Sequence, residues 1–87
     1  MSAVARLGDA GSHGGTIITA SPDVFVNDKP VARVGDLYAC PDHGVNPIVT
    51  GSPDIAVNDK AAAVVNISKT ACGATITEGS SDVSDNV

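Results

Sequence analysis

Val4-Ala5-Arg6-Leu7-Gly8-Asp9 returns as Val31-Ala32-Arg33-Val34-Gly35-Asp36. Ser21-Pro22-Asp23-Val24-Phe25-Val26-Asn27-Asp28-Lys29 returns from Ser52 to Lys60, with Ile55 standing for Val24 and Ala56 for Phe25. A decayed third copy follows, as Lys60-Ala61-Ala62-Ala63-Val64-Val65 and then Gly79-Ser80-Ser81-Asp82-Val83. Self-similarity at a spacing of roughly thirty residues means one supersecondary unit used repeatedly. The repeats run over about 4–30, 31–61 and 62–83, and a polar tail occupies 84–87. The expected object is one domain, residues 1–87, with approximate threefold internal symmetry.

Strand is the expected state throughout. Thr16 to Thr19, Val24 to Val26, Pro47 to Thr50, Ile55 to Val57 and Thr75 to Thr77 are short β-branched runs bounded by Gly, Pro, Ser, Asn or Asp. Asn27-Asp28 and Asn58-Asp59 fall between runs as tight turns. Lys60 to Val65 could be read as helix, but it aligns with Lys29 to Val34 and is therefore expected to be extended. The residues from Ser80 to Val87 are expected to fray.

Composition makes this a domain short of core. Phe25 and Tyr38 are its two aromatics, and Val, Ile and Ala carry the apolar content. A chain of 87 residues buries only about 60–65% of its unfolded surface. Such domains need a disulfide, a metal or a partner. The net charge of −5, ten acids against five bases without clustering, argues against nucleic acid or an anionic membrane surface as partner. Met1 to Arg6 has no basic start and no long apolar stretch, so a cytosolic origin is expected.

Every His and Cys lies in one of three repeat-equivalent loops. His13 stands between Asp9 and Thr16, Cys40 and His43 between Asp36 and Pro47, and Cys72 between Ser68 and Thr75. Related repeats would bring these loops to one end, where two imidazoles and two thiolates make a closed tetrahedral set suited to structural zinc. Soft ligands do not by themselves select one metal, so iron stays open. A Cys40–Cys72 disulfide and solvated loop residues are the other readings, and a cytosolic start disfavours the first. Gly14, Pro41, Gly44 and Gly73 flank the ligands, as sharp loops require. The Arg6–Asp9 and Arg33–Asp36 pairs are read as surface salt bridges pinning turns.

With Val4 to Asp9, Pro30 to Asp36, Cys40-Pro41-Asp42-His43-Gly44 and Cys72-Gly73, the chain resembles the PAAR-repeat family. That resemblance implies a small conical β-wedge with a metal site near its tip, bound here by His13, Cys40, His43 and Cys72. It further implies a non-enzymatic role in type VI secretion systems or contractile phage tails. There such a protein caps a trimeric β-helical spike, one tip per trimer, and meets the membrane transiently during puncture. Neither a small-molecule substrate nor nucleic acid is expected. The third copy departs from the motif, because Ala61 to Ile67 lacks the Arg, Gly and Asp of the earlier copies. A free-standing zinc-binding or redox module is the alternative, although the two thiols lack a C-x-x-C arrangement. A metallohydrolase would need an open coordination position and a spare base, and the four ligands leave neither.

Overall fold

The computed structural model describes residues 2–81, 83 and 84. Every regular element among them is a strand: β1 (Thr16–Ile17), β2 (Phe25–Val26), β3 (Lys29–Pro30), β4 (Leu37–Cys40), β5 (Gly44–Pro47), β6 (Ala56–Val57) and β7 (Lys60–Ala61). β1, β4 and β5 form one antiparallel sheet in that order, while β2–β3 and β6–β7 are separate hairpins. Asn27 and Asp28 take φ of 54° and 64°, and Asn58 and Asp59 take 54° and 66°. Two successive left-handed residues make the tight turn whose twist matches the flanking strands, and Asn and Asp tolerate it best.

The copies meet through backbone hydrogen bonds that close on themselves. Ala5 N donates to Ala63 O at 2.8 Å, Ala63 N to Ala32 O at 2.9 Å, and Ala32 N to Ala5 O at 3.0 Å. All three alanines are fully buried. Further bonds recur from copy to copy. Gly8 N, Gly35 N and Asn66 N donate to the carbonyls of Ile17, Ile48 and Ile76 at 2.8–2.9 Å. Leu7 N, Val34 N and Val65 N donate to those of Pro30, Ala61 and Ala3. Lys60 to Val64 is extended and Val65 enters a turn, as Lys29 to Arg33 and Val34 do.

The buried apolar residues form two clusters, and the alanine ring belongs to the first. The first holds Ala5, Ala32 and Ala63 with Ile17, Ile48, Ile76, Ala74, Tyr38 and Cys40. The second holds Val4, Val31, Val57, Ala62 and Val64, with Val26 and Ile55 of the hairpin segments packed against it. Tyr38 is the largest buried side chain, and its hydroxyl accepts the Gly15 N–H at 3.0 Å. It fits because Gly11 lies beneath it: a Cβ there would stand 2.5 Å from the phenol oxygen.

Several sequence expectations need correction. The stretch between Asp36 and Pro47 is a hairpin, β4–β5, rather than a loop, because Tyr38 and Cys40 turn inward on alternate positions. Thr75 and Ile76 make only isolated bridges, to Lys69 and Gly11. Ser80 does not begin a frayed tail: it is buried, donates its N–H to Val4 O, and takes the Val83 N–H on its hydroxyl. The expectation for residues 82 and 85–87 lies outside the described residues.

The Arg–Asp pairs are not surface salt bridges either. The side chains of Arg6 and Asp9 are 12% and 1% exposed, and those of Arg33 and Asp36 are 12% and 7%. Each carboxylate takes Nε and Nη2 of its arginine at 2.9–3.2 Å and the arginine N–H at 2.8 Å, which locks the intervening turn. The third copy performs the same closure with other residues. Asn66 takes the left-handed φ of 69° where Gly8 and Gly35 have 88° and 95°. Ser68 Oγ accepts the Val64 N–H at 2.8 Å where the earlier copies use Asp.

Burial works against ionisation of Asp36, but hydrogen bonds from the Arg33 side chain, Thr19 and the Arg33 N–H outweigh it and hold its carboxyl below the usual range. A depressed folded-state pKa stabilises above the unfolded pKa of about 3.9, and that stability is lost as pH falls through the folded value. Asp36→Asn should therefore cost about 3 kcal/mol at neutral pH. Its deficit against the parent should shrink below about pH 4 in denaturant melts. A deficit constant from pH 7 to pH 3 would show that the charge of Asp36 is not what matters.

Candidate metal centre

Three turns deliver the four candidate ligands. His13 sits in the turn closed by Gly14 N donating to Gly11 O at 3.1 Å, just before β1. Cys40 ends β4, in register with Gly44 of β5, and His43 lies in the turn between them. Cys72 sits in the turn closed by Gly73 N donating to Thr70 O at 2.9 Å. The residue after His13, after His43 and after Cys72 is in each case a glycine with left-handed φ: Gly14 at 85°, Gly44 at 78° and Gly73 at 89°. Other residues there would cost roughly 1–2 kcal/mol.

The ligand atoms of His13, Cys40, His43 and Cys72 lie within 4.8 Å of one another. Cys40 Sγ is 3.5 Å from the Nδ1 atoms of both His13 and His43, and Cys72 Sγ is 3.7 Å from His13 Nδ1. Bond lengths of about 2.3 Å to sulfur and 2.0–2.1 Å to nitrogen put the S···N edge of a regular tetrahedron at about 3.6 Å. The donors are thus spaced as the corners of a four-coordinate site and could hold one ion. Both cysteines are free thiols, so the disulfide reading fails. Asp42 is exposed and stands outside the group.

Two further residues prepare the third turn. Thr70 Oγ1 lies 3.1 Å from Cys72 Sγ, and this contact, ahead of the Ala74 N–H, Cys40 and His13, draws the thiol down to about 6 against the resistance of burial. Cys72 is then a thiolate at neutral pH, the form a metal requires. Asn46 of β5 accepts the Cys72 N–H at 3.1 Å and donates to Gly44 O at 2.9 Å, joining two ligand turns. Sequence reasoning missed both. Asn46 bridges copies, and such a contact leaves no local spacing to read. The hydroxyl two residues before Cys72 was the one available signal for Thr70.

Protein purified without added metal should carry close to one ion per chain by elemental analysis. Cys72→Ser should lower that content and the melting temperature far more than Asp42→Asn, and equal effects would show that the turn rather than the ion matters. Thr70→Val should weaken metal affinity about 10–100-fold in competition with a chromophoric chelator. Unchanged affinity would remove Thr70 from any role at the site.

No curated protein matches the chain. The family model described as PAAR motif matches residues 7–83, which takes in all four candidate ligands and all but the first three residues of the three copies. The chain therefore belongs to the PAAR-motif family.

Proposed function

We propose that this chain is a non-enzymatic spike tip, stabilised by one zinc ion, that caps a trimeric β-helical spike of a contractile injection machine. The carrying observation is the closed ring of hydrogen bonds through Ala5, Ala32 and Ala63. It gives a single chain three similar but unequal sectors around one centre. Such an object can meet a true trimer once, where a homotrimeric cap would need three identical chains. Family membership supports the same role.

The two clusters suggest a polarity. The candidate ligands adjoin the first, which includes Cys40 and packs against Cys72. The hairpins adjoin the second, and β2–β3 exposes Phe25 by 56% together with Val24. In this reading the hairpin side faces the spike and the ion faces outward. A penetrating point has little interior, so burial cannot hold it. A structural zinc site supplies roughly 10–16 kcal/mol in small peptide systems. Two thiolates and two imidazoles fill a tetrahedron with protein atoms, which suits structure rather than hydrolysis. Iron is the other ion this set would accept.

The protein would be made in the cytoplasm and act at the tip of a secretion or phage-tail machine, touching the membrane only during puncture. Co-expression with a trimeric spike chain, followed by light scattering on the purified complex, should give one tip per three spike chains. A three-to-three complex would overturn the capping model. Crosslinks from His13 or Cys72 to the spike would reverse the polarity.

A further inference from the structure

Three serines occupy matching corners, and all are buried: Ser21 is 2% exposed, Ser52 4% and Ser80 3%. At each corner the hydroxyl oxygen accepts backbone N–H groups of the following turn. The donors are Asp23 and Val24 at Ser21, Asp54 and Ile55 at Ser52, and Val83 at Ser80, all at 3.0–3.2 Å. At two of the corners the hydroxyl has a carboxamide oxygen as its nearest acceptor, and Ser21 also reaches Asp23 Oδ1 at 3.1 Å. Ser21 donates to Asn58 Oδ1 at 2.7 Å, and Ser80 donates to Asn27 Oδ1 at 2.5 Å. At the first corner the same amide also donates, from Asn58 Nδ2 to Asp23 Oδ1 at 2.9 Å.

Ser52 breaks the pattern. Among the described residues no acceptor meets its hydroxyl, and no donor meets the carboxylate of Asp54, the counterpart of Asp23. A buried hydroxyl without an acceptor is uncommon and calls for a partner. We propose that Ser52 and Asp54 form a binding site for a primary carboxamide, an Asn or Gln side chain, whose oxygen accepts from Ser52 and whose NH2 donates to Asp54. A carboxylate ligand would meet the charge of Asp54, and a hydroxyl lacks the spacing to satisfy both groups. A carboxamide carries its acceptor and donor on one rigid plane.

Two sources can supply that chemistry. Asn27 follows Ser21 by six residues, Asn58 follows Ser52 by six, and Asn86 follows Ser80 by six. In addition Ala3 bridges to Ser84 as Pro30 pairs with Phe25 and Ala61 with Ala56. The chain's own Asn86 is therefore one source, and an Asn or Gln of a docked partner is the other.

The five Asn side chains, with no Gln present, give five NH2 resonance pairs in the 15N-labelled protein. Asp54 is exposed, so Asp54→Ala should leave the fold intact, and Asp23→Ala, which must move the Asn58 pair, is the control. If Asn86 is the source, Asp54→Ala shifts its pair and lowers the melting midpoint by about 4–8 °C, and adding Asn86→Ala lowers it no further. If a partner is the source, the Asn86 pair stays still. Acetamide titrated into the protein then shifts the Ser52 and Asp54 backbone amides, and Ser52→Ala or Asp54→Ala abolishes that shift. Should the Asn86 pair stay still and acetamide shift neither amide, the corner takes no carboxamide and the proposal falls.

Discussion

The amides of Ala5, Ala32 and Ala63 each find their carbonyl in another copy, at a place closed to water. Unlike the bonds of a hairpin, these cannot be made two copies at a time. Removing one copy would leave a buried N–H and a buried C=O without partners, each costing on the order of 1–3 kcal/mol. Folding is therefore expected to be all-or-none across the chain, although every strand is only two to four residues long. Strands this short have no independent stability. The ring makes them one structure, and it also carries the ligand turns to a common place.

Turn chemistry then decides how far the copies can drift. Each needs a left-handed residue after the strand leaving the ring, and an acceptor for the N–H that precedes the turn. Gly8 with Asp9 and Gly35 with Asp36 answer both needs, and Arg6 and Arg33 neutralise the buried carboxylates. Ser68 is uncharged, so the third copy requires no arginine, and Val64 takes the position with its N–H on Ser68 Oγ. Loss of Arg and loss of Asp are thus one change rather than two.

This coupling explains what could be read from the sequence. The strand state of the chain was legible because β-branched runs alternate with Gly, Asn and Asp punctuation. The grouping of His13, Cys40, His43 and Cys72 was legible because they fall at equivalent places in the repeats, and it needed no knowledge of strand pairing. The decayed motif was legible only in part. Asn66 is the residue next after glycine to accept a left-handed backbone, but the inserted Ile67 moves Ser68 out of alignment with Asp9 and Asp36. The β4–β5 hairpin was hidden because Leu37-Tyr38-Ala39-Cys40 shows no polar alternation: Leu37 and Ala39, on the half-buried face, are apolar too. Burial of the Arg–Asp pairs could not be read at all, since it depends on segments distant in sequence, such as Asn27 against Arg6 and Asn58 against Arg33.

Unequal copies also bear on how such a domain could join a symmetric partner. Phe25 on one hairpin is matched by Ala56 on the other, so two sectors already differ in bulk at corresponding exposed positions. The Ser52 corner differs again, having no amide among the described residues where Ser21 and Ser80 have one. A trimer offers three equivalent ways of seating the domain, and on a perfectly symmetric tip these would be indistinguishable. On the proposed capping role, three identical surfaces would have to meet three different ones. Shape complementarity therefore cannot be perfect in all sectors, and the affinity of any such joint must come from what the sectors share. What they share is the backbone course: the same internal hydrogen bonds recur at Leu7, Val34 and Val65 and hold the three sectors in matching shape. Side-chain divergence is tolerable within the domain because these internal main-chain hydrogen bonds carry the repeat, and the residues around them are free to change one sector at a time.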